Sequence, residues 1–176
     1  MPITLPLGAL RSGGRRSRAL APRASQLGCA VYGSAFTLAL LRRKLAENGR
    51  QTDIPLIELG PGPVTGIGPF AVEMVGLTHS IPDPTALAIR CDAGTVLHTG
   101  DWKFDPAPGL VVETDTTRLA QIGDEGVLAM VGDSTNAMVE GRTGSEADAE
   151  AGLRDVIAAA KGRVAVPCFS SNVARF

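Results

Sequence analysis

The sequence predicts a mixed α/β (α+β) fold, and three observations point to it. The chain has 176 residues, of which 44% are hydrophobic and 20% charged, a composition typical of one globular domain. Its 21 glycines and 12 prolines predict many turns, which argues against a helix bundle. Apolar residues follow a period of two in some segments and a helical period in others. Short strands joined by turns and helices therefore best explain the pattern.

The first ordered segments predict a strand, a helix and a second strand. Residues 30–32 are apolar enough for a short strand, and Ser34 can cap a helix that runs to about Glu47. This helix places Leu38, Leu41 and Leu45 on one face, and Asn48-Gly49 is a suitable end. Residues 54–57 predict the second strand, and a loop follows over residues 60–63.

The middle of the chain predicts several strands in quick succession. Residues 70–77 alternate weakly between apolar and polar side chains, and residues 85–91 and 95–99 flank Asp92-Ala93-Gly94, a hairpin signal. After an irregular stretch, residues 126–131 form an apolar run that predicts a buried strand.

The last segments predict a helix and a strand. Ser145 is expected to cap a helix with Asp148 in the capping-box position, and Gly162 is expected to end it. Residues 163–168 predict a final strand. The apolar face expected for this helix is Ala149, Leu153, Val156, Ile157 and Ala160.

The charges of the chain are unevenly distributed. Residues 1–28 contain five arginines and no acidic residue, whereas the remainder has a net charge of −6. This break predicts a separate basic arm, which is either disordered, derived from a shifted reading frame, or similar to an organelle transit peptide. The acidic remainder argues against a broad basic face for nucleic acid.

Cysteine usage and hydropathy exclude further classes of protein. Cys29, Cys91 and Cys168 are far apart, which fits neither a disulfide framework nor a cysteine zinc knuckle and suits a reducing cytosol. The longest apolar runs have about five residues, far short of the ~20 that span a membrane. Aromatic residues make up 4% of the chain, so an extended base-stacking platform is a poor fit.

Three polar residues at strand ends are candidates for chemistry. His79 follows one predicted strand, Asp101 follows the hairpin, and Asp133 follows the apolar run. Imidazole and carboxylate groups are ligands for zinc or manganese, and active sites collect at sheet rims. The alternatives are a hydrogen-bonded structural histidine at position 79 and a local turn formed by Asp133. His98 lies within an alternating strand and is expected to be structural.

Several motifs in order resemble the ribonuclease J family, which has the metallo-β-lactamase fold in its β-CASP branch. The motifs are His79-Ser-Ile-Pro-Asp83, His98-Thr-Gly-Asp101-Trp-Lys-Phe-Asp105 and Gly132-Asp133-Ser-Thr-Asn136. Tyr32-Gly-Ser34 with the helix after it, Ile122-Gly-Asp-Glu-Gly126, and the segment from Ala160 to Asn172 extend the resemblance. It covers about residues 28–176. The family pattern implies an incomplete αββα sandwich, with a partial metallo-β-lactamase domain at 29–142 and the start of a β-CASP domain at 143–176.

The resemblance implies roles for individual residues. His79 would be a metal ligand, Asp101 a catalytic residue that bridges two metals, and Asp133 the catalytic acidic residue that opens the β-CASP module. Ser171 and Asn172 would bind substrate. The implied cofactor is a pair of zinc ions, with manganese or magnesium as alternatives. The implied activity is hydrolysis of RNA phosphodiesters by a cytoplasmic protein that forms homodimers or tetramers.

The sequence departs from the family at its central signature. The H-x-H-x-D-H motif is absent, because residues 1–28 contain no histidine. Two ligands cannot hold a stable dinuclear centre, so we expect this chain alone to bind metal incompletely and to be inactive. The missing motif, the charge break and an end directly after a strand predict an incomplete chain, from a shifted frame, a misplaced start or a truncated gene. Unpaired edges then predict marginal solubility.

Two other functions remain open at this point. One is a different hydrolase of the same fold, such as a lactonase or thioesterase, although the segment from Asp133 to Asn136 and the helix and strand after it fit a β-CASP insertion better. The other is a non-catalytic RNA-binding module in which the arginines of residues 1–28 contact phosphates.

Overall fold

The computed structural model describes residues 29–47, 54–109, 112–168 and 172. Within these residues it contains seven strands and three helices. The strands are β1 (Val31–Gly33), β2 (Leu56–Glu58), β3 (Val64–Ile67), β4 (Phe70–Gly76), β5 (Thr85–Cys91), β6 (Gly94–Gly100) and β7 (Ala129–Gly132). The helices are α1 (Ala35–Glu47), α2 (Thr116–Glu125) and α3 (Glu146–Ala159). The predicted α/β class is confirmed.

The strands form two sheets. Strands β1 and β2 pair in parallel, with α1 between them in the chain. The larger sheet has the order β3-β4-β5-β6-β7, in which the first four strands are antiparallel neighbours and β7 is parallel to β6. Helix α2 makes the crossover from β6 to β7, as a parallel connection requires. The register of this last pair shifts between His98 and Gly100.

Helix α1 packs on the small sheet as its apolar spacing predicts. The buried cluster here comprises Val31, Leu38, Leu41 and Leu45. The carbonyl of Ser34 accepts the first helical hydrogen bond, from the amide of Leu38. The predicted strand and helix are thus confirmed, whereas the expected end at Asn48-Gly49 lies outside the described residues.

The larger sheet buries side chains on both faces because alternate residues point to opposite sides. On one face, Val72, Met74 and Leu87 pack with Tyr32 of β1 and with Leu59, which follows β2. On the other face, a second cluster packs beneath α2 and contains Val75, Leu77, Ala86, Ala88 and Ile122. The larger sheet is therefore the middle layer, with α2 on one face and the small sheet on the other.

The hairpin in the middle of the sheet is confirmed. Strands β5 and β6 join at a two-residue turn, with Cys91 opposite Gly94. Gly94 has a φ of 134°, in the region that glycine adopts without steric cost.

Two elements were not predicted. Strand β3 directly follows the predicted loop, in a segment to which the sequence assigned no element, and it turns back onto β4 through Gly68, whose φ is 58°. Helix α2 lies within the stretch expected to be irregular. Its N-cap, Asp115, accepts a hydrogen bond from the amide of Arg118 at 2.8 Å. Both elements are short and carry few apolar residues, and contacts with the rest of the sheet stabilise them.

The prediction of a buried strand over residues 126–131 was partly wrong. A strand is present as β7, but Met130 and Val131 are exposed. Strand β7 is the edge of the sheet, and in the described residues it pairs with β6 alone.

The strand expected over residues 163–168 was wrong: this segment has no regular structure. A strand requires a neighbour to complete its hydrogen bonds, and the described part of the chain offers this segment none.

Helix α3 confirms the predicted capping box. Ser145 Oγ accepts a hydrogen bond from the amide of Asp148 at 3.0 Å, and Asp148 Oδ2 accepts one from the amide of Ser145 at 2.8 Å. The apolar face expected for this helix is only partly covered, however. Ala149 and Leu153 are half-buried, whereas Val156 is 66% and Ile157 47% accessible. None of the described helices combines the length and hydropathy needed to cross a bilayer.

Candidate active site

A cleft of about 870 Å³ lies among the segments that follow β4, β6 and β7. Its walls include His79 after β4, Trp102 and Phe104 after β6, and Asp133 after β7. Residues 142–145 and Asp148, at the start of α3, contribute a further side. Strand ends and a helix start thus meet at one place, where candidate site residues from distant parts of the sequence come together.

His79 is held in a tight loop between β4 and β5. The amide of Leu77 donates to the carbonyl of Pro84 at 2.9 Å and closes this loop. The preceding residue, Thr78, is completely buried and donates from its hydroxyl to the carbonyl of Val112 at 2.9 Å. The ring Nδ1 of His79 lies 3.1 Å from Ser80 Oγ. These contacts fix the backbone of the loop and orient the imidazole at the cleft.

Asp83 connects the same loop to the start of α1. Its Oδ2 accepts a hydrogen bond from the amide of Phe36 at 3.0 Å, so a carboxylate lies at the positive end of that helix. Its Oδ1 is buried and has no hydrogen-bond partner among the described residues. The histidine loop and the first helix are therefore joined through one side chain.

Asp133 forms a local turn as well as lining the cleft. Its Oδ1 accepts hydrogen bonds from both the amide and the hydroxyl of Thr135. Its carbonyl accepts the indole N–H of Trp102 at 3.3 Å. The turn that was an alternative for this residue is present, and it holds the carboxylate at the cleft wall.

Asp101 directly follows β6 and is half-buried, but it is not among the described residues that line the cleft. The structure thus brings His79 and Asp133 to one cleft. Asp101 immediately precedes Trp102, which lines that cleft. Within the described ranges, no three histidine, cysteine, aspartate or glutamate side chains lie together in a group that could hold a metal ion. The residues described here do not make a complete zinc site.

His98 has a local hydrogen-bonding role in β6. Its Nδ1 accepts a hydrogen bond from the amide of Gly100 at 3.0 Å, at the shift in register between β6 and β7. The proton of the neutral ring is therefore on Nε2.

Of the two residues assigned to substrate binding, Asn172 is the one that belongs to the described residues. Ser171 lies outside the described residues. Asn172 is half-buried, its Oδ1 has no hydrogen-bond partner among them, and it does not line the cleft.

Sequence reasoning missed Asp105, which joins the cleft segment to α3. Its side chain is fully buried and accepts hydrogen bonds from the amides of Ala107 and Glu146, both at 2.9 Å. Lys103 Nζ lies 2.8 Å from its Oδ2 and 3.5 Å from Glu146 Oε1. Burial raises the pKa of Asp105, but the hydrogen bonds from Lys103 and the two amides outweigh it and lower the pKa overall. The alternation of charged and aromatic residues from Asp101 to Asp105 is the sequence signal that could have identified Asp105.

Comparison with known proteins gives consistent results over most of the chain. A "Ribonuclease J" of Sinorhizobium meliloti is 50% identical over 145 residues, which are 82% of this chain and 26% of that protein. Over these residues the chain is therefore similar to part of a ribonuclease J protein. Proteins of the same name from Thermus thermophilus and Helicobacter pylori are 42% and 37% identical over 147 residues. The two sheets and three helices are consistent with part of the metallo-β-lactamase fold that this family implies.

The chain spans about a quarter of the length of these ribonuclease J relatives, 26% of the first and 21% of the protein from Helicobacter pylori. No protein-family model matches the chain. A crystal structure of a protein of unknown function from Enterococcus faecalis V583 overlaps 43% of the chain with a TM-score of 0.36 and 23% identity. That likeness is too distant to carry an argument.

Proposed function

We propose that this chain is a segment of a cytoplasmic, metal-dependent ribonuclease that hydrolyses RNA phosphodiesters. The observation that carries the proposal is the meeting of His79 and Asp133 at one cleft, within residues that align with ribonuclease J proteins. In this proposal His79 and Asp101 are metal ligands, Asp101 and Asp133 are catalytic, and Ser171 and Asn172 bind substrate. Residues 143–176 begin a β-CASP module, and the complete protein assembles as a dimer or tetramer.

The metal would be zinc, or alternatively manganese or magnesium, and it would supply an acidified water for attack on phosphorus. The described residues do not hold such an ion by themselves, since they include no group of three suitable ligands. Catalysis therefore requires the complete protein that contains this segment, and we expect none from this chain alone. What the described residues contribute is placement: a loop that orients His79 and a turn that orients Asp133.

The test compares the complete protein that contains this segment with variants at two positions. His79→Ala and Asp101→Asn should each abolish hydrolysis of a labelled single-stranded RNA, because each removes a metal ligand. The control is His98→Gln, whose side chain hydrogen-bonds locally in β6. Unchanged hydrolysis in His79→Ala, or an equal loss in all three variants, would contradict the proposal. The isolated 176-residue chain should show no hydrolysis in the same assay.

A further inference from the structure

We propose that Phe104 is a stacking surface for a single RNA base in the cleft. This inference rests on the proposed ribonuclease function and names a contact that the substrate would make. Phe104 lines the cleft and is 59% exposed, so much of its ring is accessible to a ligand there. Stacking on a base would remove the apolar ring from water, which is energetically favourable.

Phe104 is held in place by its neighbour. The rings of Trp102 and Phe104 meet edge to face, with centroids 5.3 Å apart and planes at 61°. The Trp102 indole is itself anchored by its hydrogen bond to the carbonyl of Asp133. Part of the Phe104 ring is therefore supported by Trp102, and the remainder is open to the cleft. An ordered aromatic ring costs less entropy when it binds a flat ligand.

The charges of the cleft favour a neutral flat ring over a phosphate at this position. Lys103 is already engaged by Asp105 and Glu146, and the carboxylates of Asp133 and Asp148 line the same cleft. These acidic groups would repel a phosphate placed against them, whereas an uncharged base is tolerated.

Polar groups that could bind the edge of a base line the same cleft. Ser134 and Asn136 line the cleft and are exposed, and they offer a hydroxyl and a carboxamide. Arg142, also exposed on the wall, offers a positive charge for the phosphate that adjoins the base. Single-stranded RNA combines such a base with such a phosphate, which is why we infer it as the ligand.

The single tryptophan of the chain makes the test direct. Trp102 lines the cleft, so its fluorescence is sensitive to a ligand that binds there. The full 176-residue chain is titrated with a short oligoadenylate, and separately with an abasic ribose-phosphate oligomer of the same length. We expect the oligoadenylate to change the Trp102 emission saturably and to bind more tightly than the abasic oligomer.

Substitutions then locate the contact. Phe104→Leu should weaken oligoadenylate binding about tenfold, since stacking on an aromatic ring is lost, while Phe104→Tyr should bind as the parent does. The matched control is Phe70→Leu, because Phe70 is also exposed (42%) but lies on β4 away from the cleft lining. Arg142→Gln, an exposed change with little risk to folding, should weaken both oligomers, whereas Arg163→Gln should weaken neither.

Two results would overturn the inference: equal affinity for the two oligomers, or equal affinity of Phe104→Leu and the parent chain. Circular dichroism of each variant shows that it is folded. Failure here leaves the ribonuclease proposal standing if the complete protein still hydrolyses RNA. Binding here with no hydrolysis by the complete protein would instead contradict that proposal alone.

Discussion

Glu73 is the centre of a four-residue network of charges between the sheet and α2. It lies on β4 with its side chain 3% exposed, and Arg118 binds both of its carboxylate oxygens. Arg90 of β5 donates to the same carboxylate at 2.8 Å. Glu125 bonds both arginines, at 2.7 Å to Arg90 and 2.9 Å to Arg118. The hydrogen bond from Arg118 is the largest cause of the lowered pKa of Glu73, and Arg90 adds to it.

Replacing Glu73 with glutamine should cost about 3 kcal/mol of the free energy of unfolding at neutral pH, because two guanidinium groups lose a buried counter-ion. The midpoint of urea unfolding measures this cost. Glu58→Gln is the control, since Glu58 is exposed on β2, and it should change the midpoint little. Equal midpoints for the two variants would show that the network does not stabilise the fold.

The same variant has an expected pH dependence. The pKa of Glu73 is lower in the folded chain than its ordinary value of 4.5. Its stabilising contribution is therefore present above about pH 4.5 and is lost as the pH falls through the folded pKa. The acid-induced loss of stability should be shallower in Glu73→Gln than in the parent chain, in unfolding curves measured at successive pH values.

Among the elements, α2 depends most clearly on tertiary contacts. Its one fully buried residue is Ile122, which is 0% exposed and packs with Val75, Leu77, Ala86 and Ala88 of the sheet. The helix has ten residues, too few to be stable alone in water. Contact with the sheet through Ile122 is therefore what keeps this crossover in place.

Ile122→Ala should lower the free energy of unfolding by about 3 kcal/mol, through lost burial and the cavity left behind. Leu128→Ala, next to β7, is the matched control because Leu128 is 70% exposed. Chemical denaturation of both variants measures the difference. A similar loss in both would mean that burial in the structure does not predict stability here.

For the whole molecule, the main feature is the number of exposed apolar side chains in its C-terminal part. The exposed side chains are Leu128, Met130, Val131, Met138, Val139, Val156, Ile157, Val164 and Val166. Exposed apolar side chains favour association with other apolar groups, and an edge strand such as β7 adds unpaired backbone groups. These exposed side chains are therefore the structural reason to expect marginal solubility.

We predict that the 176-residue chain self-associates as its concentration rises, and that Val156→Lys reduces this association by placing a charge on the exposed face of α3. Sedimentation velocity over a range of concentrations measures the effect. Val64→Lys provides the comparison, because Val64 is 57% exposed on β3 at the other edge of the sheet. An equal reduction by both substitutions would contradict the assignment to the C-terminal surface.

Local signals in the sequence determined several elements correctly. The spacing of Leu38, Leu41 and Leu45 predicted α1, Asp92-Ala93-Gly94 predicted the hairpin, and Ser145 with Asp148 predicted the start of α3. Each of these signals acts over a few residues, so it can be read without knowing the fold. The motifs around His79, Asp101 and Asp133 likewise predicted the similarity to ribonuclease J proteins.

Only the tertiary structure decided the rest, because it depends on partners that are distant in the chain. Strand β3 and helix α2 are stabilised by the sheet, and the exposure of β7 follows from the absence of a further neighbour within the described residues. The meeting of His79 and Asp133 at one cleft joins segments more than fifty residues apart. Periodicity shows which face of an element is apolar, whereas which other element covers that face is decided by the packing of the whole chain.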